Sequence, residues 1–215
     1  MAPRQKGSRP AKRNRRDDLL QAAIEVFDEK GYARASIQDV ADSVGMLKGS
    51  LYHYIDSKED LLARIFEESD AQSFALIEEA KGLELPAVDR VRIFACSWSL
   101  WYLQNVERAS IYVKDWKYLT GERRQRALDQ RRAYEASLEE IIEAVKREGS
   151  AAPGLDTRLA CFFILAAING LPGWYRRKGD GAPEPIAEIY GDLIVAAVCG
   201  SGLALSAEIA GLADF

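Results

Sequence analysis

The stretch Gly45-Met46-Leu47-Lys48-Gly49-Ser50-Leu51-Tyr52-His53-Tyr54-Ile55-Asp56-Ser57-Lys58-Glu59-Asp60-Leu61 decides the fold. Lys48 to Tyr54 predicts a short helix after a glycine turn, carrying a lysine, a serine, two tyrosines and a histidine. Such a face is ill suited to a core and well suited to presenting hydrogen-bonding groups to a groove. Ser57 then caps a long helix, with Asp60 three positions on returning the cap.

Upstream, Leu19, Leu20, Ala23, Ile24 and Phe27 place one apolar face on a helix from Asp17 to Lys30, stopped by Gly31. Ser36 caps a second helix whose buried stripe is Ile37, Val40, Ala41 and Val44, ended by Gly45. Two short helices joined by a glycine-containing turn, behind a supporting first helix, form the helix-turn-helix pattern. In that arrangement the second helix of the pair enters the major groove.

Downstream the apolar spacing stays helical and no alternating strand pattern occurs. The long helix runs to about Lys81, and helices follow at 88–104, 107–118 and 120–148. An almost wholly apolar helix begins at Asp156 and should be distorted by Pro172. A last helix opens at Pro185 and ends near Cys199. The fold class is therefore all-α. The expected division is a basic arm over 1–16, a helix-turn-helix domain over 17–62, an effector-binding and dimerisation domain over 63–202, and a tail over 203–215.

The net charge hides an asymmetry. Residues 1–16 carry seven cationic groups and no acid, leaving −11 on the rest of a chain whose total is −4. A basic arm on an acidic body suits contact with a polyanion at one end. The most apolar tail, Leu193–Leu205, is short of the roughly 20 residues that span a bilayer, and the N-terminus lacks the apolar core of a signal peptide. A cytoplasmic protein is expected. Cys96, Cys161 and Cys199 lie far apart in apolar surroundings, as reduced buried thiols do. His53 is the only histidine, so a Ser/His/Asp or Cys/His centre, or a His-rich metal site, would have to sit on the recognition helix. No catalytic residue, metal or cofactor is expected.

Residues 17–62 resemble the DNA-reading end of the tetracycline-repressor (TetR) family. The matching positions are Ala22-Ala23, Phe27, Gly31, Ser36-Ile37, Val40-Ala41, Gly45, Gly49-Ser50, Leu51-Tyr52, Tyr54, Ser57-Lys58 and Leu61; Ile55 departs from the usual Phe. The resemblance implies DNA contacts from Ser36, Gln38, Lys48, Gly49, Ser50, Tyr52, His53, Tyr54 and Lys58. Ser36 and Lys58 would grip phosphates at helix N-termini, and Tyr54 would add a phenol-to-phosphate bond. Lys48 suits a guanine edge and Tyr52 a thymine methyl.

The second half concentrates the large aromatics, including all four tryptophans. An aromatic-lined cavity between bundle helices is expected, with Phe74, Phe94, Trp98, Trp101, Tyr102, Tyr112, Trp116, Phe163 and Asn169 as effector-binding candidates. Arg123, Arg124, Arg126, Arg131 and Arg132 stand where a pocket mouth could lie, although most suit a solvated helix face. Asn169, Trp174-Tyr175-Arg176 and Gly179 resemble a TetR subgroup that regulates fatty-acid, sterol or aromatic-acid breakdown, some members of which sense acyl-CoA thioesters. Gly170 and Pro172 depart from that subgroup's pattern.

The last two long helices are apolar around most of their circumference, so a second copy of the chain is their simplest cover. The dimer-interface candidates are Leu159, Phe162, Trp174, Tyr175, Ile186, Ile189, Tyr190, Leu193 and Ile194. The expected protein is a homodimeric repressor that binds a palindromic double-stranded operator and is released by a small hydrophobic effector. A ligand-independent architectural DNA binder, a repressor of an efflux gene sensing cationic or aromatic drugs, and an enzyme using the motif only for packing remain as alternatives.

Overall fold

The computed structural model describes residues 15–200, and among these every regular element is helical. The elements are α1 (Arg15–Lys30), α2 (Ile37–Ser43), α3 (Lys48–Leu51), α4 (Lys58–Gly82), α5 (Ala87–Gln104), α6 (Val106–Asp115), α7 (Gly121–Arg147), α8 (Thr157–Asn169), α9 (Leu171–Trp174) and α10 (Pro183–Cys199). A 3-10 turn, Trp116–Tyr118, follows α6. Two compact units meet in sequence between Ile65 and Phe66, within α4.

The first unit closes α1, α2, α3 and the first turns of α4 around one small core. Leu19, Ala23, Phe27, Val40, Ala41, Leu51, Ile55, Leu61 and Leu62 are all buried, and the Phe27 ring meets Tyr32 edge-on at 5.1 Å. Fully burying side chains of this size is worth about 1.5–3 kcal/mol each. A capping box opens α2. The Ser36 hydroxyl accepts from the Asp39 N–H, and the Asp39 carboxylate accepts from the Ser36 N–H at 2.7 Å. The Lys30 ammonium, 2.5 Å from Asp39, and the Ser36 donors hold that carboxyl far below the usual range. Gly31 and Gly45 take positive φ (75° and 65°), which allows the chain to turn sharply after α1 and α2.

The second unit is built around α5, which packs against α6, α7, α8, α9 and most extensively α10. Its core includes Phe94, Trp98, Tyr102, Leu138, Ile142, Ile164, Ile168 and Ile194. The α5–α10 contact depends on Gly191. A Cβ there would meet the Cys96 sulfur and lie 3.3 Å from the Arg92 carbonyl oxygen. All three cysteines are free thiols; Cys161 is buried, and burial pushes it up to about 12. Cys96 and Cys199 are half-buried, where buried thiols are expected.

Several expectations need correction. The third helix is regular only over Lys48–Leu51. The Tyr54 N–H bonds to Leu51 three residues back, at 2.9 Å, so Tyr52 to Tyr54 form a tighter turn. Arg15 and Arg16 belong to α1 rather than to the arm; the remainder of the arm, and the tail over 203–215, lie outside the described residues. Residues 157–174 are helical, long and apolar enough by composition to cross a membrane, which the sequence reading does not anticipate. However, α8 ends at Asn169, and the helix starts again at Leu171 with Pro172 in its first turn. The 13 residues of α8 rise about 20 Å, short of the roughly 30 Å hydrocarbon thickness. Ile164, Leu165 and Ile168 spend their apolar surface in the core.

Candidate DNA-reading face and effector cavity

In the first unit Lys48, Gly49, Tyr52 and His53 are exposed, Ser50 and Tyr54 half-buried, and Leu51 wholly buried. Leu51 thus anchors the short helix while its neighbours face outward. The phenol of Tyr52 stays on the surface, with the side chain 48% exposed. A Cβ at Gly49 would meet nothing within 4 Å, so no packing demand explains the glycine. Ser36 and Gln38 are exposed on the first turn of α2, and Gln38 donates to Asp42 at 2.7 Å. Leu47, just before Lys48, is 80% exposed. Sequence reading overlooked it; the signal was an apolar side chain outside any helical stripe, immediately ahead of a polar helix.

Lys58 behaves differently from the expectation. Its ammonium donates to the carbonyl oxygens of Tyr32 and Ala35, both at 2.8 Å, and sits 4.3 Å from the centre of the Tyr32 ring. Desolvation there lowers its pKa. The charge is turned inward as a tie between the α1–α2 loop and the start of α4, which leaves at most one N–H for a phosphate. Arg64 makes a parallel tie, donating to the Tyr54 carbonyl at 3.2 Å and lying 3.4 Å from Asp60.

In the second unit a cavity of about 110 Å³, counted for the centres of water-sized atoms, is lined by Phe66, Trp98, Tyr112, Val113, Trp116, Arg124, Ala127, Leu128, Arg131, Tyr134, Leu165 and Asn169. A single water needs on the order of 10–15 Å³ by this measure, so a small organic group fits. Of the effector candidates, Trp98, Tyr112, Trp116 and Asn169 line it. The others do not. Phe94 and Tyr102 are sealed in the core behind it, Phe74 and Trp101 are half-buried elsewhere, and Phe163 is 53% exposed. Helical periodicity marks these aromatics as apolar but does not tell which way each faces relative to a void.

The wall is chemically mixed. Trp98 packs on Tyr134 at 4.6 Å and Phe66 stacks on Tyr112 at 4.8 Å. The Tyr102 hydroxyl donates to the Asn169 side-chain oxygen at 2.9 Å, fixing that amide at the end of α8. The Tyr112 hydroxyl donates to Asp70 at 2.6 Å. Burial raises the Asp70 carboxyl to about 6, against the opposing effect of that hydrogen bond. The Tyr134 hydroxyl is buried with no partner among the described residues, and burial keeps it a neutral phenol. Phe66, Leu128, Tyr134 and Leu165 escaped the sequence reading because each fits an ordinary core stripe.

Leu159, Phe162, Phe163, Trp174, Ile189 and Leu193 are large apolar groups left exposed on α8, α9 and α10. Ile186 and Tyr190 are half-buried against the core. Tyr175 and Ile194 are not surface residues: each is at most 2% exposed, and the Tyr175 hydroxyl donates to the Gly181 carbonyl at 3.1 Å.

Residues 19–65 match the profile of the bacterial regulatory proteins of the tetR family, and residues 84–198, more than half the chain, match the tetracyclin repressor-like C-terminal domain. The chain belongs to the TetR family. It is accordingly a DNA-binding regulator of transcription, of the class with an N-terminal helix-turn-helix and a C-terminal helical domain. It is similar to the transcriptional repressor KstR2 of Rhodococcus jostii, 27% identical over 198 residues, 91% of this chain and 96% of that protein. The fatty acid metabolism regulator protein of Bacillus subtilis is 25% identical over 158 residues, 74% of this chain and 81% of that one. These likenesses support the sterol and fatty-acid catabolism subgroup. The structure of AibR in complex with isovaleryl coenzyme A and operator DNA shares the fold with a TM-score of 0.76 at 23% identity, covering 86% of this chain and 98% of that one.

Proposed function

We propose that this TetR-family regulator is a ligand-responsive repressor that binds a palindromic operator as a homodimer and is released by a small hydrophobic effector of the acyl-CoA thioester class. The cavity of the second unit carries the reading. It is mostly apolar, lined by two tryptophans and two tyrosines, and holds a few fixed polar groups, as small-molecule sites do. The effector class is supported by relatives named for repression and for fatty-acid metabolism, and by the isovaleryl coenzyme A that AibR holds.

In this reading residues 17–62 read DNA and residues 63–202 bind the effector and the second copy. Ser36, Gln38, Lys48, Gly49, Ser50, Tyr52, His53 and Tyr54 meet the operator, with Lys58 bracing them from within. Leu159, Phe162, Phe163, Trp174, Ile189 and Leu193 cover one another across a two-fold axis. Two recognition helices then address half-sites about 34–36 Å apart. An effector releases the operator only if it binds the DNA-competent and released states with different affinity, typically by about 1–3 kcal/mol.

The test is operator binding at fixed salt with and without isovaleryl-CoA and longer acyl-CoAs. A five- to hundredfold loss of operator affinity is expected for at least one thioester. Operator binding that no thioester alters, although each is bound, would leave the architectural reading in its place.

A further inference from the structure

The arginines around the cavity are not equivalent. Arg126 lies 3.9 Å from Glu67, Arg131 2.8 Å from Glu135, and Arg132 3.3 Å from Asp129. Arg124 has no ion pair among those described. Its guanidinium lies over the face of Trp116, 5.1 Å from the ring centre, and both side chains line the cavity. Trp116 is itself 38% exposed, so this pair stands where the cavity opens to solvent. A guanidinium stacked on an indole is held in one orientation while its N–H edge remains available, which makes it a preformed receptor for a planar or tetrahedral anion.

The opposite sign lies behind the wall. Asp70 accepts from the Tyr112 hydroxyl, and Tyr112 lines the cavity. The rest of the lining is apolar or neutral apart from Arg131, whose charge Glu135 already offsets. An anion driven inward would approach a carboxylate, whereas one left at Trp116 meets a guanidinium with no acid beside it.

We infer that Arg124, held on Trp116, is a specificity-determining residue that selects an anionic head group and leaves the apolar tail to the cavity. This rests on the effector reading above and adds the charge and orientation of the ligand. The anion can be the carboxylate of a free acid or a phosphate of a thioester's coenzyme. Either way the site disfavours cationic amphiphiles.

The full-length protein is titrated with decanoate, decanoyl-CoA, decanamide and decyltrimethylammonium, with the fluorescence of Trp98 and Trp116 as readout. At least one of the two anions should bind about tenfold more tightly than decanamide, and the cation more weakly than either. Arg124→Gln should remove most of that preference while leaving decanamide unchanged, and Arg132→Gln, outside the cavity lining, should leave the preference in place. Because Arg124 is exposed, neither its fold nor its melting temperature is at stake. Which anion gains more identifies carboxylate or phosphate as the partner. An R124Q variant that keeps the anion preference, or a wild-type protein that binds decanamide or the cation as tightly as the anions, overturns the inference alone. If none of the four binds and isovaleryl-CoA does not bind either, the effector reading falls together with it.

Discussion

The candidate sites of the two units use aromatic side chains in opposite ways. In the DNA-reading unit Tyr52 and His53 stand on the surface, held out by a helix of four residues whose one anchor is Leu51. In the second unit Phe94, Trp98, Tyr102 and Tyr134 are packed to near-complete burial, and Trp98 and Tyr134 also border a void. The first unit works by what it leaves uncovered, and its polar groups are satisfied within the unit, by caps and by the Lys58 and Arg64 ties. The second works by what it fails to fill. Its polar groups therefore carry the cost of burial: a phenol at Tyr134 with no partner among the described residues and a carboxyl at Asp70 whose pKa is raised to about 6.

The difference can be broken from the larger effect to the smaller. Phe94→Ala opens a new void in the core of the second unit next to Trp98 and Tyr134, and should cost about 3–5 kcal/mol in urea unfolding. A cost below about 1 kcal/mol would mean that the core there is not close-packed.

Asp70 comes next. Its folded pKa, about 6, lies above the unfolded value near 3.9, so the folded chain binds the extra proton between these values. Its contribution is favourable below about pH 4 and is lost as pH rises through about 6, by at most about 2–3 kcal/mol. Asp70→Asn keeps an acceptor for Tyr112 and should raise the urea midpoint at pH 7.5 while flattening the change between pH 4.5 and 7.5. Identical slopes in the two proteins would contradict the buried-acid account.

The smallest effect sharpens the first unit. Lys58→Met keeps the aliphatic stem but removes two charge-assisted hydrogen bonds, costing about 1.5–3 kcal/mol of stability. Because that ammonium faces inward, the dependence of operator affinity on salt should keep its slope. A fall in the slope by about one would restore Lys58 to the phosphate contacts.

Most of the first unit was legible in the sequence because its signals are local. The Ser36/Asp39 box, Gly31, Gly45 and the apolar stripe of α1 each act within a few residues, and each appears where its spacing predicts. Two features there were not local. The inward turn of Lys58 depends on carbonyls 23 and 26 residues back, and the early end of α3 on a hydrogen-bond pattern that residue types do not specify.

In the second unit the helices were legible but the faces were not. Tyr102 and Tyr112 look alike as aromatic positions in neighbouring helices. One closes the core and fixes Asn169, and the other lines the cavity. Only the crossing of helices far apart in sequence separates them. Tyr175 and Ile194 were misread for the same reason, since an apolar helix does not state which of its sides meets the rest of its own chain.

The notch at Gly191 has a consequence at the level of the gene. Every single-base change of a glycine codon that alters the residue adds at least a methyl group, and here even that methyl would meet the Cys96 sulfur and crowd the Arg92 carbonyl. Any substitution at 191 requires the Cys96 side chain to turn away and the α5 backbone to give by a few tenths of an ångström. A side chain at 191 is accepted most readily where position 96 carries a smaller one, so the two positions are coupled through one contact between α5 and α10.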